Sequence, residues 1–218
     1  MKLALLLPGY VESPDYHHLV VIDQHLTALG YTTLRVDPCN LWQTGDGSAY
    51  STTGYINQVK DIVNSYLSKN PTEIILIGHS LGSLVALMVG HLFDEVTKVI
   101  CLSPPASLSN SDHKWIDGFR TSKKDLPDNP TSFRNFTVPV SFTTDRKHYS
   151  IPFSLNNNQK PLLVIMGDED PSTSEIENIV RQIEKPQFTK IKNMGHDFRQ
   201  SEGLCQLVAS KIDEYISK

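Results

Sequence analysis

Gly78-His79-Ser80-Leu81-Gly82 sets a serine between two glycines at the spacing Gly-x-Ser-x-Gly. An apolar run from Glu73 to Ile77 leads in, and a helix expected over Ser80 to Phe93 leads out, so the serine falls on a strand-to-helix turn. On such a turn a serine is held in a strained conformation with its Oγ thrust out at the top of a sheet. Glycines two before and two after let strand and helix approach closely. A serine hydroxyl is a poor nucleophile at neutral pH: it needs a base within hydrogen-bond reach, and the base needs an orienting carboxylate. Both residue types follow, each after an expected strand. Pro161 to Met166 ends in Gly167-Asp168-Glu169-Asp170-Pro171, and Gln187 to Ile191 leads to Asn193-Met194-Gly195-His196-Asp197. The chemistry available to this set is acyl transfer through a covalent serine intermediate. The competing use for Ser80 is a helix N-cap, and any of the three carboxylates could be a solvated turn or cap residue.

The elements that must position these residues alternate along the chain. Strands are expected at Lys2 to Leu7, Thr32 to Val36, Glu73 to Ile77, Lys98 to Leu102, Pro161 to Met166 and Gln187 to Ile191. Helices are expected at Tyr16 to Leu29, Tyr55 to Ser68, Ser80 to Phe93, Ser174 to Glu184 and Ser201 to Ile216, the first ending at Gly30, which suits a left-handed C-cap. Alternation of this kind specifies an α/β fold, a mostly parallel sheet with helices on both faces.

Ser103 to Lys160 breaks the alternation with prolines 104, 105, 127, 130, 139 and 152 and short aromatic-bearing pieces. A structureless loop of that length is improbable in a compact domain. The reading is a cap or lid over 103–160, inserted in a single domain spanning 1–218. Its aromatic residues Trp115, Phe119, Phe133, Phe136, Phe142, Tyr149 and Phe153 either line an acyl pocket or form a small core of the cap itself. The insertion carries eight Lys and Arg against five Asp and Glu, a net +3, and leaves −7 on the remainder. A basic cap over an acidic body suits a substrate with an anionic or polar end, and equally a solvated lid surface.

With serine, acid and histidine in that order, the chain resembles the α/β-hydrolase superfamily over nearly its whole length apart from the insertion. The resemblance implies a minimal form of that fold, because the sequence starts at the strand whose following loop carries an oxyanion donor. It implies Asp170 as the triad acid, from Gly-x-x-Asp after a strand, with Asp168 the next candidate. It implies His196 as the base, from the pair Gly195-His196. The oxyanion hole it implies is the backbone N–H of Leu81, after the nucleophile, together with that of Tyr10. The Tyr10 loop usually reads His-Gly-x in the family and reads Pro8-Gly9-Tyr10 here.

Seven other histidines compete with His196. The turn's geometry directs His79 away from the site, His91 lies down the following helix, and His17, His18 and His25 share an early helix. His113 and His148 fall in the insertion, as surface or substrate-contacting residues. The implied activity is that of a serine hydrolase of the carboxylesterase or lipase type acting on a small acyl substrate. Thioesterase, amidase, peptidase or acyltransferase chemistry would use the same residues, and a ligand-binding protein with little turnover is the alternative of another class.

Composition narrows the partners. The 218 residues are 39% hydrophobic and 20% charged with a formal net charge of −4, which suits a soluble globular domain and supplies no basic field for nucleic acid or an anionic membrane. The apolar stretch after Lys2 stops after five residues, short of the roughly 7 to 15 of a signal-peptide core, and reads as the first strand. No run approaches the ~18 apolar residues of a membrane span. Cys39, Cys101 and Cys205 are odd in number, scattered and without Cys-x-x-Cys, so neither a disulfide framework nor a metal site is expected. The expectation is a cytoplasmic enzyme with no cofactor.

Overall fold

Leu3 to Leu7 are wholly buried because their strand lies inside a parallel sheet covered by helices on both faces, where no side chain reaches water. The computed structural model describes residues 1–107, 117–183 and 186–218. The chain runs β1 (Lys2–Leu7), α1 (His17–Ala28), β2 (Tyr31–Arg35), a 3₁₀ turn at Pro38–Asn40, α2 (Leu41–Thr44), α3 (Thr52–Leu67), β3 (Glu73–His79), α4 (Leu81–Gly90) and β4 (Val96–Leu102). It continues through β5 (Phe119–Asp125), β6 (Phe133–Pro139), α5 (Val140–Arg146), α6 (Ile151–Asn156), β7 (Leu162–Gly167), α7 (Thr173–Val180), β8 (Gln187–Ile191) and α8 (Glu202–Ile216).

Six strands form one sheet in the order β2-β1-β3-β4-β7-β8, with every neighbouring pair parallel. Side chains along a strand point to alternate faces, so β1 feeds two cores. Leu3, Leu5 and Leu7 pack with residues of α3 and α4, while Ala4 and Leu6 pack with residues of α1 and α8. All six strands expected from the sequence are present, β1 and β8 with the expected ends and the others with ends shifted by at most two residues. α3 begins three residues early because Ser51 Oγ accepts the Gly54 N–H at 2.9 Å and caps the helix there. Gly30 follows α1 at φ 82°, the left-handed C-cap its position asks for.

Between β4 and β7 the described residues form an antiparallel hairpin of β5 and β6 followed by α5 and α6. The aromatic residues there do not build a separate core. Phe136 and Phe142 are buried within the core on the α3 and α4 side of the main sheet, and Phe119, Phe133 and Phe153 are exposed. Trp115, His113 and the end of the expected helix at Glu184 lie outside the described residues. Cys39, Cys101 and Cys205 are all free thiols. Among the described residues no helix is long and apolar enough to cross a membrane.

Candidate active site

Ser80 stands between β3 and α4 at φ 51° and ψ −115°, a backbone region whose occupation costs a non-glycine residue on the order of 1–3 kcal/mol. The surroundings hold it there. Its N–H donates to Leu102 O at 2.9 Å, and the buried Ser83 hydroxyl donates to Gly78 O at 2.8 Å and Leu102 O at 3.2 Å. Both glycines of the pentapeptide are required by close approach: a Cβ on Gly78 would overlap the Gly82 carbonyl, and one on Gly82 would overlap Leu7 O.

β7 and β8 deliver the acid and the histidine to the same edge. His196 Nε2 lies 2.9 Å from Ser80 Oγ, and His196 Nδ1 lies 2.8 Å from Asp170 Oδ2. A carboxylate oxygen only accepts, so Nδ1 carries a proton and Nε2 is left free to accept the serine proton. The Asp170 side chain is fully buried while that of His196 is 37% exposed. Burial alone would raise the Asp170 pKa. The hydrogen bond from His196 and the Ser172 N–H donating to Oδ1 outweigh burial and hold it below the ordinary value. Asp168 and Glu169 are exposed, and Asp168 Oδ1 accepts the Asn193 N–H at 2.7 Å, which places it on the turn rather than on His196.

Tyr10, Ser80 and Leu81 line a cavity of about 160 Å³ together with Pro105, Ser107, Phe142 and Arg146. Neither the Tyr10 N–H nor the Leu81 N–H has an acceptor among the described residues, and Leu81 opens α4, where helix N-terminal N–H groups favour negative charge. The Tyr10 loop is braced from several sides: Val11 N–H donates to Tyr50 Oη at 2.9 Å, and Tyr55 Oη donates to Pro8 O at 3.3 Å. A larger cavity, lined by Lys160, Pro161, Leu162 and Gln182 among others, opens at the start of β7, the end of that strand opposite Asp170.

Sequence reading passed over a buried group behind this site. Glu12 and His79 are both almost inaccessible, and Glu12 Oε2 lies 2.8 Å from His79 Nδ1. His79 Nε2 lies 3.0 Å from the carbonyl oxygen of His196, and the two rings lie 5.6 Å apart. Burial would raise Glu12, but the charge and hydrogen bond of His79 hold it far below the usual carboxylate range. Burial would lower His79, but Glu12 keeps it above its usual value. The buried ring of His18 packs edge-on against His79 at 4.9 Å and is pushed down to about 3, by burial first and then by the charge on His79, so it is neutral. Glu12, His18 and His79 bring ligand-type atoms within 4.8 Å of one another, but Glu12 and His79 already satisfy each other.

The remaining described histidines serve elsewhere. His17 pairs with Glu202, His25 Nδ1 lies 2.8 Å from Asp213 Oδ2, and His91 and His148 are exposed. Of the aromatic residues of the insertion, Phe142 is the described one that reaches the cavity beside Ser80.

A family model for the alpha/beta hydrolase fold matches residues 5–153, a span that includes Ser80 and stops short of Asp170 and His196. Among curated proteins the sequence has no match. Solved structures align over almost the whole chain. Est1E from Butyrivibrio proteoclasticus does so at TM-score 0.70 and 19% identity, over 100% of this chain and 89% of that one. A monoacylglycerol lipase from Paleococcus ferrophilus aligns at 0.67 and 16%, over 98% and 93%. The esterase domain of a Rhodothermus marinus protein aligns at 0.65 and 18%, over 99% and 88%. At these identities the likeness is one of fold.

Proposed function

The chain belongs to the alpha/beta hydrolase fold family, and from that premise we propose that it is a serine hydrolase cleaving a carboxylic ester of modest size through an acyl-enzyme on Ser80. The observation that carries this reading is the unbroken line from Asp170 through His196 to Ser80, at 2.8 and 2.9 Å. His196 Nε2 takes the proton of Ser80 as Oγ attacks the acyl carbon. The carbonyl oxygen gains the negative charge and moves between the N–H groups of Leu81 and Tyr10, where each donor is worth on the order of 10² to 10³ in turnover. Collapse of the intermediate breaks the bond to the leaving oxygen, which takes the proton from His196. Water then repeats the cycle on the acyl-enzyme and releases the acid. Asp170 stays ionised throughout and steadies the imidazolium.

Support for a modest acyl group comes from the cavity beside Ser80, about 160 Å³ and lined in part by Phe142. The test is labelling with a fluorophosphonate probe together with a panel of p-nitrophenyl esters from acetate to palmitate, a thioester and an anilide. The expected result is stoichiometric label on Ser80 and fastest turnover of short oxygen esters. Folded protein that leaves Ser80 unlabelled removes the basis of the reading, and preference for the thioester or anilide moves it to those substrates.

A further inference from the structure

We propose that Glu12 and His79 form a buried ion pair that positions both halves of the hydrolytic site at once, the Pro8-Gly9-Tyr10 loop and the loop bearing His196. The inference rests on the ester-hydrolase reading and extends it to two residues that touch neither substrate nor reacting atoms.

Glu12 Oε2 accepts the Gly9 N–H at 2.6 Å and faces His79 Nδ1 at 2.8 Å. His79 Nε2 in turn faces the His196 carbonyl oxygen at 3.0 Å. A carbonyl oxygen and a carboxylate oxygen both accept and neither donates. Nε2, which faces a carbonyl oxygen, carries a proton; Glu12 Oε2 already accepts the Gly9 N–H, and with Glu12 assigned as the carboxylate Nδ1 carries one too, which makes His79 an imidazolium. The pair lies with 2% of the His79 side chain and 8% of the Glu12 side chain exposed, where water does not compete for these bonds.

Each bond acts on a different loop. The Gly9 N–H bond sets the plane of the Pro8–Gly9 peptide, and the Glu12 N–H donating to Gly9 O at 3.2 Å holds the next peptide, the one that carries the Tyr10 N–H proposed as oxyanion donor. The bond to the His196 carbonyl sets the backbone of the residue whose ring faces Ser80 Oγ. β3 supplies the common anchor, because His79 is the residue before Ser80. Nucleophile, base and oxyanion donor are therefore referred to one rigid unit. Asp170 orients the His196 ring from one side, and His79 fixes its main chain from the other. Glu12 and His79 are positioning residues in this arrangement.

The experiment compares Glu12→Gln, His79→Asn, His79→Gln and the double variant Glu12→Gln/His79→Gln, each checked for folding by circular dichroism, in steady-state hydrolysis of a short p-nitrophenyl ester. An asparagine amide reaches the position of Nδ1 and keeps the link to Glu12; a glutamine amide reaches that of Nε2 and keeps the link to His196. Displaced catalytic groups lower kcat, by about 10- to 10²-fold for shifts near 1 Å, and leave KM within about twofold. The double variant is expected to be no slower than the slower single variant, because the residues act as one unit. Folded variants with wild-type kcat, or a change confined to KM, overturn the proposal. If Glu12→Gln does not fold, the two His79 variants carry the comparison.

Nitrogen-15 NMR of the imidazole rings tests the pair without turnover. Wild-type protein and Ser80→Ala should both show His79 with two protonated ring nitrogens at neutral pH, and a singly protonated His79 overturns the proposal whatever the activity. Failure of the ester-hydrolase reading looks different: wild-type protein is then inert toward every ester and Ser80 takes no label.

Discussion

Arg199 Nη2 donates to Asp125 Oδ1 across 2.9 Å, fastening the end of β5 to the segment that follows His196. Tyr16 Oη donates to the same residue, to its carbonyl oxygen at 3.0 Å and to Oδ1 at 3.2 Å, and the Arg199 guanidinium lies 4.0 Å over the Tyr16 ring. The far side of the insertion is fastened too: Thr53 N–H donates to Asp145 Oδ2 at 2.9 Å, and the Tyr10 and Ser122 hydroxyls meet at 3.0 Å. The hairpin is thus tied through side chains to the start of α1, to the Tyr10 loop and to the segment after His196, while α5 is tied to α3.

Asp125→Ala removes the Oδ1 acceptor that Arg199 and the Tyr16 hydroxyl share in a mostly dry setting, leaving Arg199 only its pair with Asp197 at 3.2 Å and Tyr16 only the backbone carbonyl of residue 125. Losing charge-assisted hydrogen bonds of this kind costs about 2 kcal/mol, or roughly 4–8 °C in Tm for a chain of this size. Thermal melts read the loss, and hydrogen exchange should quicken along Phe119–Asp125 before it does in β1 or β3. Unchanged exchange in β5 would mean that the other fastenings suffice without this one.

Asp170→Asn and Asp168→Asn separate the two candidate acids. An amide at 170 no longer fixes the His196 tautomer, and in serine proteases the equivalent change lowers kcat by about 10⁴. At 168 the same change weakens one hydrogen bond to the Asn193 N–H, which predicts a loss below about tenfold. Ester kinetics on both variants decide the assignment, and a larger loss at 168 reverses it.

The Glu12–His79 pair predicts a stability window with a definite sign. Glu12 is held below its ordinary 4.5, so its contribution is present above that value and is lost as pH falls through the depressed pKa. His79 is held above its ordinary 6.5, so its contribution is present below 6.5 and is lost as pH rises through the raised pKa. The groups facing the pair are His18, neutral across pH 4.5 to 6.5, together with Lys124, Asp197, Asp170 and the His196 ring at 5.6 Å. Breaking a buried pair by removing one partner costs about 3 kcal/mol, near 6–12 °C. The Tm gap between wild type and Glu12→Gln should be widest from pH 4.5 to 6.5 and close at alkaline pH. A gap that widens above pH 8 contradicts the assigned charges.

These particulars show where the sequence is readable. Gly78 and Gly82 can be read locally, because a strand-to-helix turn of this tightness admits no other residue at either place. Positions 170 and 196 can be read because parallel strands deliver their C-terminal turns to one edge of the sheet, and β7 is marked by an apolar run. The Glu12–His79 pair could not be read. Its members are 67 residues apart, and their types fit a surface turn and an outward-facing strand residue equally well. β5 was hidden for another reason: Phe-Arg-Thr-Ser-Lys-Lys-Asp buries Ser122 and exposes Phe119, so its pattern carries no apolar face. Phe136 and Phe142 were visible as aromatics, but only packing decides that they complete the main core.

Phe142 gives the sharpest handle on substrate. Its ring is buried, stacks on Tyr50 at 5.1 Å and 14°, and lines the cavity beside Ser80. Phe142→Leu shortens that wall, at a stability cost of about 1–2 kcal/mol from the lost packing. If the acyl chain enters this cavity, each methylene that finds new room gains up to about 0.8 kcal/mol, close to fourfold in kcat/KM. Esters of longer acids should therefore gain on acetate in the variant by several-fold, with acetate itself little changed. A profile from acetate to decanoate measures this. Equal losses at every length would put the acyl chain elsewhere, along the hairpin face rather than under Phe142.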